Sequence, residues 1–155
     1  VRGPFVPLLR SPELLDRAQK LGAFLRYDCT IPERLREFAI CVVARFWSQP
    51  YEWSAHARLA HAAGVASVTL AALRDGECQE EAPADERLIF ACCTRLLVEH
   101  RLDDDAFRLA TDLLGEQGVV ELAALCGYYS LLAMVMNVAR TPYPGEAFAV
   151  PGQGA

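Results

Sequence analysis

Apolar residues recur every three or four positions along most of this chain, and nowhere alternate one by one for long enough to make a strand. Leu14, Leu15, Ala18, Leu21 and Leu25 outline a first helix, expected to end near Tyr27. Ser11-Pro12-Glu13 opens it with a small polar cap, a proline in the first turn and an acid at the positive end of the helix dipole. A second helix carries Leu35, Phe38, Ala39, Val42, Val43 and Phe46 behind Thr30-Ile31-Pro32-Glu33, which has capping-box spacing. Ser48-Gln49-Pro50 interrupts it, because a proline disfavours helix in the residue before it. Pro50 opens a third helix over 51–63, with Gly64 as its stop.

The pattern continues with a short helix over 67–74 that closes at Asp75-Gly76, an acidic loop over 77–83 and a fifth helix over 84–100. Asp103 caps a sixth helix that runs to Leu114, residues 115–118 form a turn, and a seventh, very apolar helix reaches about Arg140. Residues 1–10, with Pro4 and Pro7, read as an extended arm. There is no internal repeat, domain linker or glycine-rich phosphate loop. The expected architecture is all-α, a bundle of about six to seven helices. One domain spans 1–143, and 144–155 form an extended or disordered tail within a stretch from Thr141 that holds three Pro and three Gly.

Composition sharpens this picture. Hydrophobic residues make up 53% of the 155, rich for a lone domain of this size, which points to surface buried in a homo-oligomer. The net charge is -5, and the 14 arginines are scattered, so a basic stripe for nucleic acid is missing and no nucleic-acid partner is expected. Residues 118–139 carry one charge, Glu121, and are long enough to cross a bilayer, but their flanks lack clustered basic residues. A central helix of an oligomer is therefore expected rather than a membrane span. No signal peptide precedes the first helix, and the start at Val1 leaves room for a missing N-terminal piece. Several of the six cysteines fall inside apolar helical patterns, so reduced thiols and a cytoplasmic location are expected. No cysteine spacing suits zinc, His56 and His61 lie about 140° apart on their helix, and no metal or other cofactor is expected.

The candidate chemistry lies between Glu37 and His56. Glu52 and His56 are four residues apart, about 40° on one helix face. A carboxylate beside an imidazole can set its tautomer and its charge, and if that face is buried the pair can pass a proton near neutral pH. On a solvated face the same spacing makes an ordinary surface pair. Glu37, on the preceding helix, reaches the same place if the Pro50 turn is tight. Cys41 stands one turn beyond Glu37 and is expected to be a small core residue. Trp47, Trp53, Tyr128 and Tyr129 are candidates for a pocket wall or for core, and Arg36 and Arg45 for binding a substrate carboxylate or for ion pairs between subunits.

This stretch resembles the core motif of the carboxymuconolactone decarboxylase and alkylhydroperoxidase D superfamily. The peroxidase branch has a Glu, eleven residues, Cys-x-x-Cys, three residues and a His. Here Glu37 is followed by eleven residues, Gln49-Pro50-Tyr51-Glu52, three residues and His56. Gln49 and Glu52 stand where the two cysteines would be. A thiol peroxidase needs one thiolate to attack and a second thiol to resolve, and this motif has neither. The decarboxylase branch resembles this chain more closely, with a carboxylate at the second cysteine position and the His retained. The likeness runs from about Gly3 to Tyr143 and includes Glu121-Leu122 and Gly127-Tyr128-Tyr129. It implies an AhpD-like helical bundle that assembles as a dimer, trimer or hexamer. It also implies a lyase for a small cyclic carboxylic acid or lactone, with Glu37, Glu52 and His56 catalytic and Arg36, Arg45, Trp53 and Tyr128 around the substrate. The alternatives are a peroxidase that uses a cysteine outside the motif, such as Cys41, and a small-molecule-binding oligomer without catalysis.

Overall fold

Eight consecutive residues, Glu37 to Ala44, are buried, which a helix achieves only when other helices surround it. They belong to α3 (Glu33–Phe46), the axis of the computed structural model, which describes residues 2–153. Packed on α3 are α4 (Pro50–Ala62), α5 (Ser67–Arg74), α6 (Ala84–Val98) and α7 (Asp104–Val138). The N-terminal α1 (Phe5–Leu8) and α2 (Pro12–Ala23) lie against α7. Among the described residues there are seven α-helices and no strand, the all-α bundle that the periodicity implied. Phe38, Ile40 and Val43 of α3 meet Leu70, Leu122 and Leu125 in one core, where each large apolar side chain contributes about 1.5–3 kcal/mol.

Several elements differ from the sequence reading. Residues 5–8 form a helical turn where an extended arm was expected, since Pro4 and Pro7 lie where their missing N–H groups are tolerated. The first long helix does not simply fray at Tyr27; it passes into a π-helical turn over Phe24–Asp28. Thr30 does not cap the second helix. Pro32 occupies the N-cap without a side-chain bond, and the Thr30 amide and hydroxyl both donate to Glu121 at 2.7 Å. Burial opposes the charge on Glu121, but these two bonds and one from Gln117 hold it below the usual carboxylate range. The single charge of the apolar helix therefore pins the loop before α3. The fifth helix stops at Val98, with His100 at φ 66.

Asp103 caps α7 as expected, accepting from the Ala106 amide at 2.8 Å. The expected turn over 115–118 shrinks to one residue, Gly115, at φ 74 and ψ 167. The segments on either side are otherwise continuous. α7 is the one described helix long and apolar enough to cross a membrane, and 61% of its most apolar window is buried inside the chain. Residues 141–153 form no regular element, yet they are tied down, and the last two residues of the expected tail lie outside the described residues. Trp53 donates to the Ala149 carbonyl at 2.9 Å and packs on Phe148, and Ser67 donates to the Pro151 carbonyl at 2.7 Å.

The backbone at Gly115 lies in a region open essentially to glycine alone. Gly115→Ala should therefore cost about 1–3 kcal/mol of folding stability. Its added methyl would meet no neighbouring atom, so the loss measures backbone strain alone. Urea denaturation checks this, and an unchanged midpoint would show that the break relaxes freely.

Candidate active site

The Pro50 turn sets α4 beside α3, and a side-chain cap shapes that turn. Gln49, buried, accepts from the Tyr51 amide at 2.8 Å and donates to Asn137 of α7 at 2.9 Å. Gln49 thus serves here as a helix cap. With α4 placed in this way, Nδ1 of His56 lies 2.6 Å from Oε2 of Glu37, and both side chains are buried. A carboxylate only accepts, so Nδ1 carries the proton and Nε2 is left for other partners. Arg36 flanks the pair from behind, its Nε 3.6 Å from Glu37. Tyr129 meets the imidazole edge-on, with ring centroids 5.0 Å apart.

Glu52 is only 3% exposed, and among the described residues no group bonds either carboxylate oxygen. Burial pushes its carboxyl up to about 8, because the anion would lose its water and gain nothing in return. At neutral pH it is mainly a neutral acid, able to donate a proton. Burial also raises the phenols of Tyr128 and Tyr129, and the nearby glutamates add to this. Both tyrosines remain protonated hydrogen-bonding groups.

These residues share a cavity of about 460 Å³ enclosed by α2, the π-helical turn, α4 and α7. Glu52, His56, Tyr128 and Tyr129 line it, and Glu37 stands behind His56. Gly22 closes one wall: a β-carbon there would fall 2.1 Å from the Tyr128 hydroxyl. The sequence-derived set is thus split. Glu37, Glu52, His56 and Tyr128 come together, and Trp53, Arg36 and Arg45 do not line the cavity. Trp53 is fully buried outside the cavity, where it holds the C-terminal segment. Arg45 donates to the Arg74 carbonyl and lies over the Phe148 ring, and Arg36 supports Glu37. The cations that do border the cavity are Arg2 and Arg26. Sequence reasoning missed Arg26 because its direction depends on the π-helical turn, which leaves no periodic signature.

The cysteines stand apart from this chemistry. All six are free, and none lines the cavity. Cys41 is fully buried, and burial together with Glu37 raises its thiol well above the ordinary range. Cys93 and Cys126 approach to 3.6 Å between α6 and α7. No group of three or more metal-ligating side chains occurs among the described residues. Comparison with known proteins found no matching family model, no similar curated protein and no similar solved structure.

The raised carboxyl of Glu52 links stability to pH. The folded state holds this proton until about pH 8, whereas an unfolded glutamate releases it near its ordinary value of 4.5. Stability should therefore fall as pH rises between those values, by an amount on the order of a few kcal/mol. Glu52→Gln should remove that part of the slope. Identical slopes for the two proteins in denaturant titrations from pH 5 to 8 would rule out a buried neutral acid.

Proposed function

We propose that this chain is an acid–base enzyme, a carboxymuconolactone decarboxylase-like lyase acting on a small cyclic carboxylic acid or lactone. One observation carries the reading: a neutral carboxylic acid and a carboxylate-backed imidazole face one cavity of ligand size. In such a reaction the bond to the carboxylate breaks and CO₂ leaves. The electron pair stays on the ring carbon as a carbanion or enolate. Glu52 donates its proton there, and solvent or His56 returns one to Glu52. His56 can exchange protons through Nε2, while Glu37 fixes its tautomer and offsets its charge as it takes up a proton. The tyrosine hydroxyls supply hydrogen bonds for the developing oxyanion.

The peroxidase alternative has little support. A thiol attacks peroxide as its thiolate, and Cys41 is sealed in the core with its ionisation suppressed. A purely structural role for the motif fits poorly with a cavity beside His56.

Assembly of several copies is also part of this proposal. Val120, Gly127 and Met134 alternate with Ala124, Leu131 and Val138 along α7 at heptad spacing, and Val120 and Val138 are 69% and 85% exposed. A β-carbon at Gly127 would meet nothing within 4 Å, so no contact inside the chain requires a glycine there. Mid-helix glycine costs about 1 kcal/mol relative to alanine, and a close approach by a second copy of α7 would account for keeping it.

His56→Gln is the informative variant, because its amide still donates to Glu37. His56→Ala would strand a buried carboxylate at a cost of about 3–5 kcal/mol. With a panel of small carboxylated lactones as substrates, His56→Gln and Glu52→Gln should each lower CO₂ release by about a hundredfold or more while the helical circular dichroism stays unchanged. Wild-type turnover should decline above about pH 8 as Glu52 loses its proton. Full activity in His56→Gln would remove the imidazole from the mechanism. For assembly, Gly127→Arg should shift the mass seen by light scattering towards one chain without loss of helix. A wild-type protein that is monomeric at every concentration would exclude this interface.

A further inference from the structure

Arg26 lies on the π-helical turn at the C-terminal end of α2, half-buried, and borders the cavity. Its guanidinium carbon sits 5.2 Å from the Tyr27 ring centroid, and among the described residues it has no acidic partner within 4.0 Å. Several other arginines also lack one, but of these only Arg2 shares the cavity with Arg26 among the described residues. A π-turn is a common way for a helix to end, and it fixes the direction in which the last side chains point. Here the turn sets a cation at the edge of a cavity.

The other charged groups facing this space do not neutralise it. Arg2 is a second cation, exposed at the edge. Among the described residues Glu52 is the one acid lining the cavity, and it is mainly neutral at neutral pH. Glu37 is engaged with His56 and Arg36 behind the wall. An anion entering the cavity therefore meets a half-buried guanidinium with a free fork of donors, the geometry that suits a carboxylate.

We propose that Arg26 anchors a carboxylate of the ligand, and that this carboxylate is retained through the reaction. The retention follows from the chemistry. A carboxylate held by a guanidinium is stabilised more as a localised anion than in a transition state where its charge moves into the ring, so the anchor opposes loss of that group as CO₂. The departing group must be a different one, turned towards Glu52 and His56. The ligand class is thus a small ring bearing two carboxylates, one held by Arg26 and one that leaves as CO₂, a body that suits the aromatic wall of Tyr128 and Tyr129. This inference rests on the proposed reaction taking place in the same cavity.

The anchor can be read without turnover. Benzoate and its neutral isostere benzamide would be titrated by calorimetry against wild type, Arg26→Gln, Arg26→Lys and Arg2→Gln, each checked for helix content. Benzoate should bind wild type more tightly than benzamide does. Arg26→Gln should weaken benzoate about tenfold or more, leaving benzamide unchanged. Arg26→Lys should keep part of the preference, because it keeps the charge without the fork. Equal binding of benzoate and benzamide to wild type, or equal benzoate binding in wild type and Arg26→Gln, would overturn the assignment. A loss in Arg2→Gln as large as that in Arg26→Gln would also overturn it. If benzoate binding survives Arg26→Gln and CO₂ release persists, the anchor fails and the lyase reading stands. If the benzoate preference is confirmed and no lactone is turned over, the anchor stands and the lyase reading fails.

Discussion

The 2.6 Å hydrogen bond between Glu37 and His56 is the contact around which the site is organised. A glutamate in the middle of the most enclosed helix would be prohibitively costly without a partner, since a lone charge in the core loses its hydration and recovers nothing. His56 meets that requirement only if α4 crosses α3 at one position, and the Gln49 cap and the Pro50 turn deliver it there. Satisfying the carboxylate therefore fixes the crossing of two helices. It also presents a ring nitrogen of defined tautomer to the cavity.

Two carboxylates a short distance apart in the fold meet opposite environments. Glu37 has an imidazole and a guanidinium beside it, whereas Glu52 has no bonding partner and a raised pKa. Different surroundings of this kind separate the protonation behaviour of chemically identical groups, which is what the proposed acid–base reading requires. The unsatisfied oxygens of Glu52 carry a folding cost, typically about 1–3 kcal/mol for a buried polar group without a partner. A packed apolar residue would avoid that cost, and the position instead holds an acid facing a cavity.

The walls of that cavity come from chain segments far apart in sequence. α2 and its π-helical turn supply Gly22 and Arg26, and α7 supplies Tyr128 and Tyr129. The close seat of Tyr128 against the bare backbone of Gly22 depends on α2 lying across α7. Glu121 contributes indirectly: by holding Thr30 it sets where the chain leaves the π-helical turn and enters α3. The same α7 thus faces the cavity with its aromatic residues and solvent with an apolar stripe.

Much of the fold was readable along the chain because helices announce themselves locally. The 3.6-residue recurrence of Leu, Val and Ala, the Asp103 cap and the Pro50 start each depend on residues within a turn or two. The Glu37, Glu52 and His56 set was also visible, since its members fall at fixed spacings on two adjoining helices. Properties that require distant segments were not visible. Whether Glu52 is buried, and so whether it holds a proton at neutral pH, depends on the placement of α2 and α7. Thr30 had the spacing of a cap, whose oxygen would accept from a helix amide, but its amide and hydroxyl instead donate to Glu121, 91 residues away. Trp53, Arg36 and Arg45 lie near the site in sequence but outside the cavity, because neighbours along a helix point in different directions. The sequence alone determined most of the helices and singled out Glu37, Glu52 and His56 as candidates, since both follow from local spacing. Only the tertiary structure decided which carboxyl is neutral and which cations border the cavity, because solvation and charge pairing are set by what the whole chain brings together.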